Sequence, residues 1–357
     1  MANEFITMWK NQNAPDYLIN AANLSKISPH LLYQGKQFIF PVDDAKNKLR
    51  IAANTGVKII IGGEHKIFVI NNDIEFVPVN ILDTGSVLEP GKDYHIYAVA
   101  ASDNASLVVS KNATYPDGAT ADNSRRVGGF HTLCADIGSL QDTTHKLYGF
   151  SARDILPQSV HDLLNRPRTC GAQGMVLDPA TGTWIDIYMQ SGTGASTKSA
   201  YQGTVTKSRS FDGHQEDLAA IGKRMLLDAE FTSAAMGTVP YRAVMGAVDP
   251  VTTGGKVNTA GQRIVSNIGC EDMAGCYWQW IGIQSFGTQS NNPAPAWTEA
   301  SPAGQGQQYL PTNALIVGGH WGNASYSGAR CRSATNSRSY LGAYDSSRGC
   351  AEGLAVV

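Results

Sequence analysis

The sequence predicts an α+β protein: an N-terminal β-rich region folded as a small β-sandwich, followed by a loop-rich α+β domain. Three observations carry this. Short β-branched runs recur between residues 49 and 133, each closed by Gly, Asn, Asp or Pro. Only two helices are legible in the 210 residues from 148 to 357. Charged residues make up 16% of the 357-residue chain, against about 25% in an ordinary soluble domain. With 42% apolar residues a sizeable core can form, and 37 glycines suit strands and loops with large polar surfaces. A net charge of −2 provides no global field for a polyanion, so no nucleic-acid partner is expected.

Residues 1–47 mix Phe5–Trp9, a polar stretch and Leu31–Val42, and are expected to form a short N-terminal extension with a few strands or one turn of helix. In residues 48–147 the strand candidates are Leu49–Ile51, Val57–Ile61, Lys66–Ile70, Tyr94–Ala101, Ser106–Ser110 and Val127–Leu133. Turn signals separate them, including Gly62-Gly63, Asn71-Asn72-Asp73, Glu89-Pro90-Gly91 and Pro116-Asp117-Gly118. Strands this short and this often interrupted suggest a sandwich ending near Lys146. In residues 148–357, Leu156–Leu164 is a short helix candidate. A longer one begins at Asp212, read as its cap, with acidic residues near the positive end of the dipole. It carries Leu218, Ile221, Met225 and Leu226 on one face and stops at Gly237. Beyond Gly246 regular periodicity fades.

Several chemistries are excluded by spacing. His214-Gln215-Glu216-Asp217 is followed by Leu218, so the paired histidines of a zinc-binding helix are missing. Gly254-Gly255-Lys256 is followed by Val257, which rules out a phosphate-binding P-loop. No nucleophile elbow occurs. Cys134, Cys170, Cys270, Cys276, Cys331 and Cys350 lack paired short spacing and read as small buried hydrophobes. No metal and no cofactor are implied. Met1–Phe5 does not open a signal peptide, and no run approaches the roughly 18 apolar residues of a membrane span, the candidate Val57–Ile61 being strand-sized. Synthesis in the cytoplasm without a leader is expected.

Two segments stand out. Cys270–Trp280 concentrates acids and aromatics. Trp278 and Trp280 point the same way on a strand and fill a core, while Glu271 and Asp272 accept backbone N–H groups of loops. Gly318–Cys350 holds seven Ser, six Gly, four Ala, four Arg, three Tyr and two Asn, without Lys, Glu, Gln, Met, Pro, Phe, Val or Ile. Neither a packed core nor a solvated charged face is built this way, whereas paratopes are: Tyr supplies contact area at low entropic cost and Ser, Gly and Asn adapt their hydrogen bonds. Four Arg against one Asp give the segment a positive bias. Trp321, Cys331, Leu341 and Cys350 are spaced like anchors beneath a displayed surface.

Gly318-Gly319-His320-Trp321, Ser327–Arg332 and Ser347-Arg348-Gly349-Cys350 resemble the variable region of diversity-generating retroelement variable proteins, the family that includes phage tropism determinants. The Asp212 helix, Gly269–Asp272, Trp278-Gln279-Trp280 and the Gly-Gly-His-Trp block also resemble the formylglycine-generating-enzyme subclass of the C-type lectin fold. The likeness covers residues 150–357. Asp122–His131 is similar to what precedes such domains in phage proteins. The resemblance implies a receptor-binding protein of a virion tail, homotrimeric, seated among other tail proteins and binding a bacterial cell-surface protein or glycan. It further implies that His320, Gly322, Asn323, Ala324, Tyr326, Ser333, Thr335, Asn336, Tyr340, Gly342, Tyr344 and Asp345 are displayed, variable residues. Trp278, Trp280, Trp321, Gly328, Arg330, Cys331, Arg348 and Cys350 would be scaffold. The copper-binding cysteine pair of the formylglycine-generating enzymes is absent, since Tyr326 stands about where the partner of Cys331 would be. An oxidase is therefore the alternative rather than the expectation, and no enzyme activity is expected. A non-varying structural adhesin is the third reading. Calcium-dependent sugar-binding triplets are absent as well.

Overall fold

The computed structural model describes residues 37–43, 45–53, 55–61, 64–70, 72–101, 104–285, 297–299, 307–309 and 313–354. Most of the expected N-terminal extension, residues 1–36, lies outside the described residues, as do the turn residues Gly62, Gly63 and Asn71.

The chain divides into two compact units, each described by itself. The first holds the described residues through Thr132, then Arg153–Arg166 and Leu354; the second holds Leu133–Ala152 and Pro167–Gly353. A single boundary near residue 147 is thus corrected: the chain leaves the first unit after Thr132 and re-enters it at Arg153.

In the first unit β1 (Ile39–Pro41), β2 (Leu49–Ile51), β3 (Thr55–Ile61), β4 (Glu64–Ile70), β5 (Ile74–Phe76), β6 (Asp93–Ala101), β7 (Asn104–Ser110), β8 (Ser124–His131) and β9 (His161–Asp162) follow in order. They form a β1-β2-β5 sheet, a β3-β4 hairpin and a β7-β6-β8-β9 sheet. In β2 burial alternates, Leu49 and Ile51 being buried and Arg50 half-buried, whereas Tyr94–Ala98 of β6 and Val127–His131 of β8 are buried throughout. Ile39, Leu49 and Ile51 from the first sheet and Ile96, Val127 and Phe130 from the second join one buried cluster. The short helix expected over Leu156–Leu164 is corrected to a single 3-10 turn, Pro157–Ser159, followed by β9 on the edge of β8. The cause is Asp162. Its buried carboxylate accepts hydrogen bonds from the backbone N–H groups of Phe38, Ile39, Leu164 and Asn165 at 2.6–2.9 Å, a set of partners that an extended backbone satisfies.

In the second unit β10 (Met175–Asp178), β11 (Thr183–Asp186), β12 (Gln190–Ser191), β13 (Lys198–Ser199), α1 (Phe211–Ala220), β14 (Arg224–Met225), α2 (Asp228–Ala234), β15 (Trp278–Ser285), β16 (Trp297–Glu299), β17 (Gln307–Tyr309), β18 (Asn313–Gly318), β19 (Gly328–Ser333), β20 (Asp345–Ser347) and β21 (Gly349–Glu352) are laid out among long loops. Two four-stranded sheets dominate, β10-β11-β21-β14 and β19-β18-β15-β20. The long helix expected from Asp212 to Gly237 is corrected to two short ones. Ser210, not Asp212, caps α1, accepting from Gly213 N at 3.1 Å. Ile221 ends α1, and Gly222 turns the chain at φ 73. A Cβ there would collide with the Thr169 carbonyl, so only glycine fits this turn. Met225, expected on the helix face, is on β14 and reaches the same core by another route. Phe211, Leu218, Met225, Trp280, Ala314 and Ile316 cluster, with Trp278 against them; the Phe211 and Trp280 rings meet edge to face at 6.1 Å. Trp278 and Trp280 do share one face of β15.

The two sheets are joined at one residue. β20 lies parallel to β15, β21 pairs with β11 and β14, and Arg348 links β20 to β21. Its side chain, 1% exposed, donates to Gln279 Oε1 at 3.0 Å, to the carbonyls of Asp186 and Ile187 at 2.6 Å, and to the carbonyl of Glu271. Gly349 N donates to the Asp186 carboxylate at 3.1 Å. Replacing Arg348 with Met strands these acceptors in a dry site, which should cost roughly 3–5 kcal/mol. Urea unfolding should show that loss, and an unchanged midpoint would contradict the role given to Arg348.

Candidate functional site

The C-terminal segment leaves β18, makes a tight turn, runs along β19, and returns through a second loop to β20. Hydrogen bonds from Asn323 N to His320 O and from Tyr326 and Ser327 N to Asn323 O, all 2.8–3.0 Å, close the first loop. The second is fastened by Phe211 N to Arg338 O and Ser208 N to Gly342 O. The two loops meet through aromatic rings. His320 stacks on Tyr344 with centroids 4.7 Å apart and planes at 18°. Trp321 stands edge to face on Tyr344 at 5.2 Å and on buried Tyr277 at 4.9 Å. Gly322 N donates to His320 Nδ1 at 3.0 Å, so the ring proton sits on Nε2, and burial lowers the pKa of His320. Trp321 is thus a half-buried post under a platform of His320 and Tyr344.

The displayed set expected from the sequence is partly brought together. Tyr326 is 72% exposed, Tyr344 46% and Tyr340 42%; Gly322 and Thr335 are exposed, and His320, Asn323, Ala324 and Ser333 half-buried. Asn336, Gly342 and Asp345 are corrections, being buried. Asn336 Nδ2 donates to Asp345 Oδ2 at 3.1 Å, and a Cβ at 342 would collide with the same carboxylate. These three lock the second loop from below.

Of the residues expected as scaffold, Trp280, Arg348 and Cys350 are buried, as is Gly328; Trp278, Trp321 and Cys331 are half-buried. Arg330, expected as scaffold, is corrected to an exposed residue, and Leu341, expected as an anchor, is 63% exposed. The positive bias is corrected too. Arg338 pairs with Asp212 over the Phe211 ring, and Arg332 pairs with Asp228 and bonds Thr232 Oγ1 at 2.6 Å over Phe231. With Arg348 buried, three of the four guanidiniums secure the segment to the domain. Arg330 lines a cleft of about 610 Å³ with Asp228, Ala229, Thr232, Ser233, Met236 and Arg332.

Beneath the loops the acidic block acts as expected. Gly254 N donates to Asp272 Oδ2 at 2.6 Å and Gly255 N to Glu271 Oε2 at 3.1 Å. Arg263 pairs with Glu271 at 2.7 Å, both 1% exposed. Burial, reinforced by the Glu271 charge, raises Asp272 to about 6. Sequence reasoning passed over Tyr241, 63% exposed, whose N–H donates to Ser327 O at 2.7 Å. Only folding joins positions so far apart, and the sole local signal is an aromatic directly after Pro240. Among the described residues no group of three His, Cys, Asp or Glu side chains is placed to hold a metal, and no helix is long and apolar enough to cross a membrane.

Burial also raises Asp345 to about 6 from an ordinary value of 3.8. Between these values the folded protein holds a proton that the unfolded chain does not, so this carboxyl favours folding increasingly as pH falls from about 7 towards 4, and opposes it when ionised. Asp345→Asn should therefore be more stable than wild type by roughly 1–3 kcal/mol at pH 8 and about equal to it near pH 4. Paired denaturation curves across that range check this; the common contribution of Asp272 cancels.

Residues 41–162 match the family model described as Mtd second domain. The chain is 29% identical over 299 residues to the tail fiber receptor-binding protein of Bordetella phage BPP-1, covering 76% of this chain and 74% of that one. Among solved structures it is similar to the Major Tropism Determinant M1 variant (TM-score 0.72, 24% identity, 91% of this chain and 85% of that one) and the U1 variant (TM-score 0.71, 24% identity, 90% and 84%). The likeness in fold therefore runs through both compact units.

Proposed function

We propose that the protein is the receptor-binding tropism determinant of a phage or prophage tail, gripping a bacterial cell-surface protein or glycan through its C-terminal segment. The observation that carries this reading is the division of labour within residues 318–350. Tyr326, Tyr340 and Tyr344 are turned outward on two loops, while Arg332, Arg338 and Arg348 from the same segment bind the domain beneath. Rigid aromatic anchors amid small adaptable polar residues are what a binding face requires. The tail-fiber relative supports the location on the virion.

The finer architecture belongs to the same proposal. The first unit is a β-sandwich, its two sheets sharing one core, and the second is a C-type lectin fold of the formylglycine-generating-enzyme subclass. Residues 1–47 serve oligomerisation or attachment, and the exposed positions of the segment vary by retroelement-templated codon change. Oxidase chemistry is disfavoured by Cys331, whose thiol burial raises above its ordinary range, opposite to the depressed value that thiolate chemistry needs.

Replacing Tyr326, Tyr340 and Tyr344 together with Ala should weaken cell binding at least 100-fold and move Tm by no more than about 4 °C. Adsorption intact in a protein of lowered Tm would overturn the reading. A trimer should give a light-scattering mass three times the 38.1 kDa of the chain, and a monomeric mass would contradict that part. Three linked sites would lift weak contacts by roughly 10²–10⁴. Sequencing the codons for 318–350 in a population grown from one clone separates a diversified binder from a fixed adhesin: substitutions confined to those codons mark the former.

A further inference from the structure

We propose that Tyr241, which lies outside the C-terminal segment, is a fixed contact residue of the same ligand-binding face. This inference rests on the reading above. Tyr241 sits at φ 60, a left-handed conformation that bulky residues rarely adopt and for which glycine is the residue of choice. Its ring gains little in exchange, being 63% exposed. Strain and exposed aromatic surface both oppose the free fold, and a partner that covers the ring compensates for them.

The backbone around Tyr241 is over-determined. Tyr241 N donates to Ser327 O at 2.7 Å, and the Ser327 hydroxyl, on a residue 1% exposed, donates to Arg242 O at 2.6 Å. A Cβ on Gly328 would lie 3.2 Å from Pro240 Cβ, so β19 starts hard against the residue preceding Tyr241. Ser327 directly follows Tyr326, the most exposed of the three displayed tyrosines. The left-handed turn is thus bolted to the base of the displayed loop, and its side chain is exposed. Because residue 241 is encoded outside the segment, it stays constant while its neighbours change, giving every variant one common aromatic anchor.

The test compares four full-length proteins: wild type, Tyr241→Gly, Tyr241→Phe and the triple tyrosine variant. Each is measured for binding to cells of the bacterium on which the phage carrying the gene grows. Glycine suits the backbone, so Tyr241→Gly should match or exceed wild type in Tm while binding at least tenfold more weakly; Tyr241→Phe, which keeps the ring, should retain most of the binding. Binding within twofold of wild type for Tyr241→Gly, while the triple variant has lost it, overturns this inference and leaves the proposed function standing. A fall in Tm alongside weaker binding assigns Tyr241 a structural role and also overturns it. Wild type failing to bind those cells, or the triple variant binding as well as wild type, overturns both.

Discussion

The guanidinium of Arg348 occupies the point where the chain passes from one sheet of the second unit to the other, and the surrounding loops depend on it. β20 and β21 are separated by this single residue, so a planar group with donors on several sides must reach acceptors of both sheets at once. It takes Gln279 from β15, the carbonyls at the end of β11, and the carbonyl of Glu271 in the loop before β15. A lysine ammonium could not span that set. The two sheets are thereby held in register, and the display loops, which leave β18 and return to β20, start and finish on a fixed frame.

The same logic accounts for the acids below. A domain with few ladders leaves many backbone N–H groups without strand partners. Buried carboxylates take their place: Asp272 and Glu271 for Gly254 and Gly255, Asp217 for Gly194. The arrangement has an electrostatic cost, visible in Asp272 and Asp345, both raised to about 6 by burial. What it achieves is a loop framework held by side chains outside the displayed positions, so that surface residues can change without removing a structural bond.

Legibility in the sequence followed the range of the forces involved. The strands of the first unit were readable because alternation and turn residues are local, and Asn104–Ser110 and Ser124–His131 lie close to where the pattern puts them. The acid–tryptophan block was readable as scaffold because its residue types have few other uses when buried together. The helix from Asp212 was over-extended because the apolar spacing from Leu218 to Leu226 fits a helix as well as it fits α1, a turn and β14; only the carbonyl of Thr169, distant in sequence, excludes a side chain at Gly222. Asp162 misled similarly, its extended backbone being set by partners at Phe38 and Ile39.

Within the C-terminal segment the errors have one physical source. Asn, Gly and Asp belong both to the vocabulary of adaptable paratopes and to that of tight turns, so composition cannot tell the half-buried Asn323 from the buried Asn336 that holds Asp345. Arginine is equally two-sided: the same residue type caps Asp212, bridges Asp228, fills the sheet crossover and, at 330, faces solvent. Burial alone separates these uses, and burial is set by the loops that α1, α2 and β15 pin in place. The segment is therefore not a mobile surface patch laid over a finished domain. It supplies the residue that joins the two sheets, and change is compatible with folding at positions such as 326 and 340, whose side chains are exposed, more readily than at 344, whose ring joins the two loops.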